Sequence, residues 1–176
     1  MSFPVVCILM FGLFIYQPIS SAHAQSQVHA KSQPSAHSKT VVGWLEPVSI
    51  QFESGALVVQ AKIDSGADHS SLHAKNIQGF TKNDQAWLRF TTVQQRMVEA
   101  PIFRETKIKT KRGGLQARPV ILLNTCLAGL TRSIEVNLID RSKFSTPMLI
   151  GRSALSGFVI DPTKNNPTSQ ISCQPK

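Results

Sequence analysis

The sequence predicts an all-β fold with one short helix. Segments of alternating apolar and polar residues recur between residues 41 and 165, and turn residues separate them. This is the pattern of strands that bury one face. Only residues 152–156 give a helical pattern, which Gly157 would end. No internal repeat is visible, so each motif occurs once in the chain.

Turn signals pair the predicted strands into hairpins. Glu53-Ser54-Gly55 separates the first two strands, and Gly55 can supply the positive φ that a tight turn needs. Lys111-Arg112-Gly113-Gly114 separates a later pair in the same way. The predicted strands are residues 41–52, 56–63, 87–93, 102–110, 117–124, 133–139 and 158–160.

The first residues indicate export. Residues 5–16 form an apolar run that is too short to span a bilayer, and Ala22-His23-Ala24 has the small-x-small spacing that signal peptidase accepts. We therefore expect a signal peptide over residues 1–24, cleavage after Ala24 and a periplasmic location. Because no Lys or Arg precedes the apolar run, an uncleaved membrane anchor is the alternative.

The remaining chain is expected to contain one domain. Residues 25–40 are rich in Ser, Gln, His and Lys and lack apolar periodicity, which predicts a disordered tether. Residues 41–165 are then the folded domain, and residues 166–176 are a polar C-terminal tail. About 150 residues follow the signal, which is enough for one hydrophobic core.

The chain is strongly basic, with 19 Lys and Arg against 10 Asp and Glu and a net charge of +9. Such a balance favours anionic partners, here an envelope protein, an envelope polyanion or an acidic peptide, or it serves solubility alone. No recognition helix or aromatic stacking motif accompanies the charge, so we expect no nucleic-acid partner.

The cysteines indicate a candidate disulfide. Cys7 would leave with the signal, and Cys126 and Cys173 remain as an even pair in an exported protein. Closing their loop of about 47 residues would stabilise the fold by about 4 kcal/mol. Two unrelated thiols are the alternative. No cysteine spacing matches a structural zinc site, and we expect neither a metal nor another cofactor.

Asp64 is the candidate catalytic residue. It follows a strand whose alternate residues are apolar, so its carboxylate lies where the strand breaks into Ser65-Gly66-Ala67. Gly66 permits a tight bend, and the small Ala67 leaves room for a second backbone. Two carboxylates that share one proton can hydrolyse a peptide bond without a metal. The chain has one such aspartate, so the second would come from another copy in a symmetric dimer. An isolated Asp-Ser-Gly is also a common turn.

Several motifs, in this order, resemble bacterial retropepsin-like aspartic peptidases. That family was once named as ATP-dependent zinc proteases and is associated with RimK-type ATP-grasp proteins. The resemblance covers nearly the whole predicted domain. Its motifs are Val41-Val42-Gly43-Trp44, Lys62-Ile63-Asp64-Ser65-Gly66-Ala67, Ser71-Leu72-His73-Ala74, Glu99-Ala100-Pro101, Ile134-Glu135-Val136-Asn137-Leu138, Met148-Leu149-Ile150-Gly151-Arg152-Ser153-Ala154-Leu155 and Phe158-Val159-Ile160-Asp161-Pro162.

The resemblance implies a closed β-fold of the acid-protease type, a homodimer, and Asp64 as the catalytic aspartate. Ser65 replaces the usual threonine and keeps the hydroxyl that bonds across the dimer. Ile150-Gly151-Arg152 would support the turn, with Arg152 paired to Asp68. This pair follows the wider retropepsin pattern, because the family more often has a non-acidic residue at the position of Asp68.

The resemblance also implies a flap over the site. Residues 107–118 are the candidate, since Gly113 and Gly114 at the tip give the permissive backbone that a moving lid needs. An ordinary exposed hairpin is the alternative interpretation.

The expected function is therefore that of an aspartic endopeptidase acting on peptide or protein substrates. The alternative is a non-catalytic binding or regulatory module with a peptidase fold. His69 and His73 are four residues apart, but no His-Glu-x-x-His supports metal catalysis. A serine mechanism lacks a Gly-x-Ser-x-Gly elbow. A Cys126 nucleophile would conflict with oxidation after export.

Overall fold

The computed structural model describes residues 39–109 and 113–165 together with Cys173. All of them belong to one compact unit of the chain. The predicted signal peptide, most of the tether, the turn residues 110–112 and the C-terminal tail apart from Cys173 lie outside the described residues.

Most of the described chain is β-strand. The strands are β1 Thr40–Phe52, β2 Gly55–Asp64, β3 Ser70–His73, β4 Lys75–Lys82, β5 Gln85–Thr91, β6 Met97–Pro101, β7 Arg104–Lys109, β8 Leu115–Leu127, β9 Leu130–Ile139, β10 Met148–Gly151 and β11 Phe158–Asn165.

The predicted strands correspond to β1, β2, β5, β7, β8, β9 and β11, with shifts of up to three residues at most ends. The exception is β11, which was predicted to end at residue 160 and continues through Asp161 and Pro162 to Asn165. The sequence did not predict β3, β4, β6 and β10. Strands β3 and β10 have four residues each, almost all buried, so neither shows alternation. Strand β4 is largely exposed along its length and shows none either. Short or uniformly exposed strands therefore escaped the period-2 pattern.

The larger sheet closes on itself into a barrel. Its order is β11-β1-β2-β10-β3-β9-β8-β7, and an additional pairing of β1 with β8 completes a ring of six strands. Strands β11 and β7 extend the sheet beyond that ring. The expected all-β closed fold is confirmed, and the pairing of β1 with β8 leaves none of the six ring strands as an open edge.

Alternation along β2 shows why the barrel forms. Leu57, Val59, Ala61 and Ile63 are each at most 5% exposed, while Val58 between them faces outward at 47%. Strand β9 likewise buries Ile134, Val136 and Leu138, as its alternating pattern predicts. Burying each large aliphatic side chain contributes about 1.5–3 kcal/mol, so this interior is the main source of stability.

A second sheet, in the order β4-β5-β6, packs against the barrel. Leu88 and Phe90 of β5 belong to the same hydrophobic core as the barrel residues. Phe90 contacts Phe52 of β1 edge to face, with ring centroids 6.2 Å apart. On the outer face of this sheet, the Lys82 ammonium lies over the ring of Trp87 and covers it. The smaller sheet therefore completes the core.

The predicted helix is shorter than expected. Residues 152–156 were predicted as helical, but only Arg152–Ala154 form a helix, and it is a single 3₁₀ turn. Leu155 N donates to Arg152 O, and Phe158 N then donates to Leu155 O as β11 begins. Gly157 has the positive φ of 79° that ends the turn, as the sequence predicted. The immediate return to strand leaves no room for an α-helix.

Cys126 and Cys173 form a disulfide. Their Cα atoms are 5.9 Å apart, inside the range that an unstrained bridge requires. Cys126 is a buried residue of β8, so the bond ties the C-terminal segment to a barrel strand.

Among the described residues, no helix is long and apolar enough to cross a bilayer.

Replacing both cysteines, as Cys126→Ser with Cys173→Ser, should lower the free energy of unfolding by about 4 kcal/mol. The reason is that the bond closes a loop of 47 residues and restricts the unfolded chain. Urea unfolding of the oxidised protein measures the change. Reductant should destabilise the wild type to the same extent and leave the double variant unchanged. Equal midpoints for oxidised wild type and double variant would contradict the role of the bond.

Candidate active site

Asp64 lies at the end of β2, where the barrel strand turns away. The turn begins with Ala67 N donating to Asp64 O at 3.3 Å. Gly66 N donates to the carboxylate oxygen Oδ1 of Asp64 at 3.1 Å. The Asp64 side chain is 27% exposed, so it is held by the turn and still reaches solvent. The geometry delivers a fixed carboxylate to the surface.

Strand β10 supports the turn from one side. It pairs with β2 in parallel, which aligns Ile150 with Ile63 and Gly151 with Asp64. Gly151 N donates to Ser70 Oγ at 3.1 Å, which ties β10 to the start of β3. The distant Ile150-Gly151-Arg152 segment is thus brought beside the aspartate.

Gly151 is the residue that permits this approach. A Cβ at this position would lie 2.5 Å from the carbonyl carbon of His69 and 2.6 Å from its oxygen. Real Cβ atoms do not approach backbone so closely, so a larger residue would force β10 and the turn apart. The requirement is steric, because Gly151 has an ordinary φ of −88°.

The 3₁₀ turn after β10 holds the turn at Asp64 through backbone hydrogen bonds. Arg152 N donates to Ala67 O at 2.7 Å, and Ser153 N donates to Asp68 O at 3.2 Å. The Arg152 side chain donates Nη1 to Ser65 O at 3.3 Å and Nη2 to the Asp68 carboxylate.

The structure therefore places Arg152 and Asp68 in contact beside the turn. Both side chains are largely exposed, at 63% and 67%. An ion pair in such a setting contributes at most about 1 kcal/mol. The backbone bonds and the fit at Gly151 therefore hold the turn more firmly than this ion pair does.

Lys62 is a charged neighbour of Asp64 that was not predicted from the sequence. Its Nζ lies 3.2 Å from Oδ2 of Asp64. Burial alone would raise the pKa of Asp64, but the hydrogen bond and charge of Lys62 and the N–H groups of Gly66 and Ala67 together lower it. These contacts within a single chain therefore favour the ionised form of Asp64. The sequence did contain a signal for this contact, because Lys62 and Asp64 are two residues apart and alternate residues of a strand share one face.

The two histidines within the described residues, His69 and His73, make structural contacts. His73 is buried in β3, and its Nδ1 accepts a hydrogen bond from Arg141 N at 3.0 Å. Burial lowers the pKa of His73, against the opposing charge of Asp140. His69 contributes backbone atoms that pack on Gly151. Within residues 39–109 and 113–165, no group of three or more His, Cys, Asp or Glu could hold a metal ion.

The candidate flap is a hairpin of β7 and β8, paired as far as Lys109 with Leu115. Its described tip includes Gly113, with a positive φ of 82° and open space around it. An open groove of about 660 Å³ borders the β8 arm at Arg118, with Lys75 of β4 among its lining residues. Movement of this hairpin over Asp64 stays a prediction.

Replacing Gly151 with Ala should destabilise the protein by about 1–3 kcal/mol or more, because the new methyl group would overlap the His69 backbone. Thermal or urea unfolding measures this. The matched control is Gly79→Ala in β4, where a Cβ would meet nothing within 4 Å. If both variants unfolded at the same denaturant concentration, the close approach at Gly151 would not be a constraint.

Comparisons with known proteins place the chain in a family. Residues 41–169 match the model of the RimB-like family, described as "Retropepsin-like aspartic endopeptidase RimB". A protein of unknown function from Legionella pneumophila has a similar crystal structure, with a TM-score of 0.63 and 32% identity. That match covers 74% of this chain and 98% of the Legionella chain.

Two curated relatives carry the name "Probable alpha-L-glutamate ligase". The one from Desulfotalea psychrophila is 31% identical over 142 residues, which is 76% of this chain and 30% of that protein. The one from Shewanella halifaxensis is 30% identical over 119 residues, 63% of this chain and 26% of that protein. The chain thus spans less than a third of either relative. Through its domain-wide match, the chain belongs to the RimB-like family of retropepsin-like aspartic endopeptidases.

Proposed function

We propose that the protein is an aspartic endopeptidase whose catalytic dyad consists of one Asp64 from each subunit of a homodimer. The observation that carries this proposal is the placement of Asp64. Its carboxylate is partly exposed at a strand end, and the Gly66 N–H and the neighbouring Gly151 backbone fix the turn that carries it. Membership of the family supports the same conclusion.

A second copy is needed because one chain supplies half of the dyad. The chain has a single Asp-Ser-Gly-Ala segment. The other acid of the same turn, Asp68, is held by Arg152. A two-fold axis beside Asp64 would bring two identical carboxylates together. The exposed Ser65 would then lie at the axis with its hydroxyl free to bond to the partner turn.

The proposed chemistry follows from the pairing of two Asp64 carboxyl groups in the dimer. Two carboxylates in contact cannot both be ionised easily, so they hold one proton between them. The ionised member takes a proton from water as the water oxygen bonds to the peptide carbonyl carbon. The protonated member gives its proton to the carbonyl oxygen, which forms a tetrahedral diol. The carboxyl that is now protonated then gives its proton to the amide nitrogen, and the other carboxylate takes a proton from one hydroxyl of the diol. The C–N bond breaks as the carbonyl re-forms, which leaves an amine, a carboxylic acid and a dyad with one proton.

The ligase name of the curated relatives is not part of the proposal. The chain spans 30% of one such protein and 26% of the other, so most of each relative has no counterpart here. The site contains a carboxylate in a tight turn, which suits hydrolysis by a dyad.

We also propose that the protein acts after export, in the periplasm. The disulfide between Cys126 and Cys173 supports this, since such bonds persist in oxidising compartments. The apolar run at residues 5–16 is consistent with the same route. A peptide or protein of the envelope is then the proposed substrate.

Asp64→Asn should abolish peptidase activity, with a loss of at least about 100-fold in kcat/KM, because the dyad provides both acid and base. Cleavage of a peptide library between about pH 3 and pH 7 measures this. The matched control is Asp84→Asn, the same chemical change in an exposed turn, where the positive φ of 59° suits Asn. Equal cleavage by wild type and Asp64→Asn would refute catalysis by an Asp64 dyad, and absence of cleavage by the wild type would favour a binding or regulatory module.

Mixing subunits tests the shared dyad. Wild type and Asp64→Asn are unfolded together in equal amounts and refolded. The mixture should have about one quarter of the activity of wild type at the same total protein concentration, because one quarter of random dimers carry two aspartates. Independent active sites would instead retain about one half. Sedimentation of the same samples should show dimers. Activity in proportion to the wild-type fraction would contradict a dyad formed between subunits.

A further inference from the structure

The two carboxylate oxygens of Asp64 contact different kinds of donor. Oδ1 accepts the Gly66 N–H at 3.1 Å, and Oδ2 lies 3.2 Å from the Lys62 ammonium. The Lys62 side chain is 46% exposed, so its charge is partly shielded by water. The Gly66 N–H belongs to the backbone of the turn and is present whatever the side chains are, whereas a substitution of Lys62 would remove the ammonium charge.

The position of Lys62 is fixed by its neighbours on both sides. It pairs with Leu45 of β1 and with Leu149 of β10 in the barrel sheet. Its backbone therefore cannot shift without disturbing two strand pairings. The ammonium remains within reach of Asp64 whenever the barrel is intact.

Other ionisable groups near the turn have different partners. Arg152 and Asp68 contact each other. On β1, Glu46 is buried and accepts the Gly43 N–H at 2.6 Å. Strand β10 contains no ionisable residue, and His69 precedes β3 in the same connection as Asp68. Among the described residues, Lys62 is thus the cation in direct contact with Asp64.

We propose that Lys62 is a positioning residue that sets the acid–base state of the Asp64 dyad and confines peptidase activity to lower pH. The proposal rests on the proposed function. Two-fold symmetry places two Lys62 ammonium groups beside one dyad, one for each carboxylate. Each stabilises an ionised carboxylate, so the proton that the pair must share is held more weakly. The dyad then loses that proton, and its activity, at a lower pH than it otherwise would.

The test compares pH profiles of kcat/KM. In Lys62→Met the alkaline limb should move up by roughly one pH unit, because an adjacent opposite charge lowers a carboxyl pKa by about one to three units. Lys62→Arg keeps the charge and should keep the wild-type profile. Lys143→Met is the matched control, because it removes an exposed lysine outside the site and should change nothing.

Two outcomes separate this inference from the proposed function. Absence of Asp64-dependent cleavage in the wild type would refute the peptidase itself. Cleavage with superimposable profiles for wild type and Lys62→Met would refute the role of Lys62 alone, as would a uniform loss of kcat/KM without a shifted limb.

A second measurement does not depend on turnover. ¹³C NMR titration of the Asp64 carboxyl should give a higher pKa in Lys62→Met than in wild type, and Lys62→Gln provides the same test if the Met variant folds poorly. An unchanged Asp64 titration in a folded variant would overturn the inference.

Discussion

The close approach of Gly151 to the His69 backbone is the constraint on which the site depends. A single added carbon would lie 2.5 Å from the His69 carbonyl carbon. Only this tight fit lets β10 run parallel to β2 with Gly151 level with Asp64. The 3₁₀ turn that follows can then donate backbone hydrogen bonds to Ala67 and Asp68. The turn that carries Asp64 is thus positioned mainly by steric fit and main-chain hydrogen bonds.

Stability and electrostatic tuning are carried by different parts of the molecule. The barrel interior, with residues such as Val48, Ile50 and Leu57, is almost fully buried and supplies the hydrophobic free energy. The charged contacts at the turn involve partly or largely exposed side chains, namely Lys62 with Asp64 and Arg152 with Asp68. Such contacts add little to folding, so charges at the turn can vary with function while the scaffold stays intact.

Much of the fold could be predicted from the sequence because β2 and β9 bury alternate residues. The same alternation placed Asp64 at a strand end. Strands β3 and β10 were missed because both are four residues long and buried along nearly their whole length. Barrel closure, through the pairing of β1 with β8, joins segments too distant for a local pattern to reveal. The Lys62 contact depends on a side-chain conformation, which strand periodicity does not specify.

The proposed dyad has a simple geometric requirement, since its chemistry needs two Asp64 carboxylates sharing one proton. A crystal structure of the protein provides the most direct measurement, the distance between Asp64 carboxylate oxygens across a two-fold axis. The proposed dyad predicts that the nearest oxygens lie about 2.5–3 Å apart, within hydrogen-bond distance. Two Asp64 side chains on separate surfaces, more than about 10 Å apart in every pair of subunits and beyond any shared proton, would contradict it.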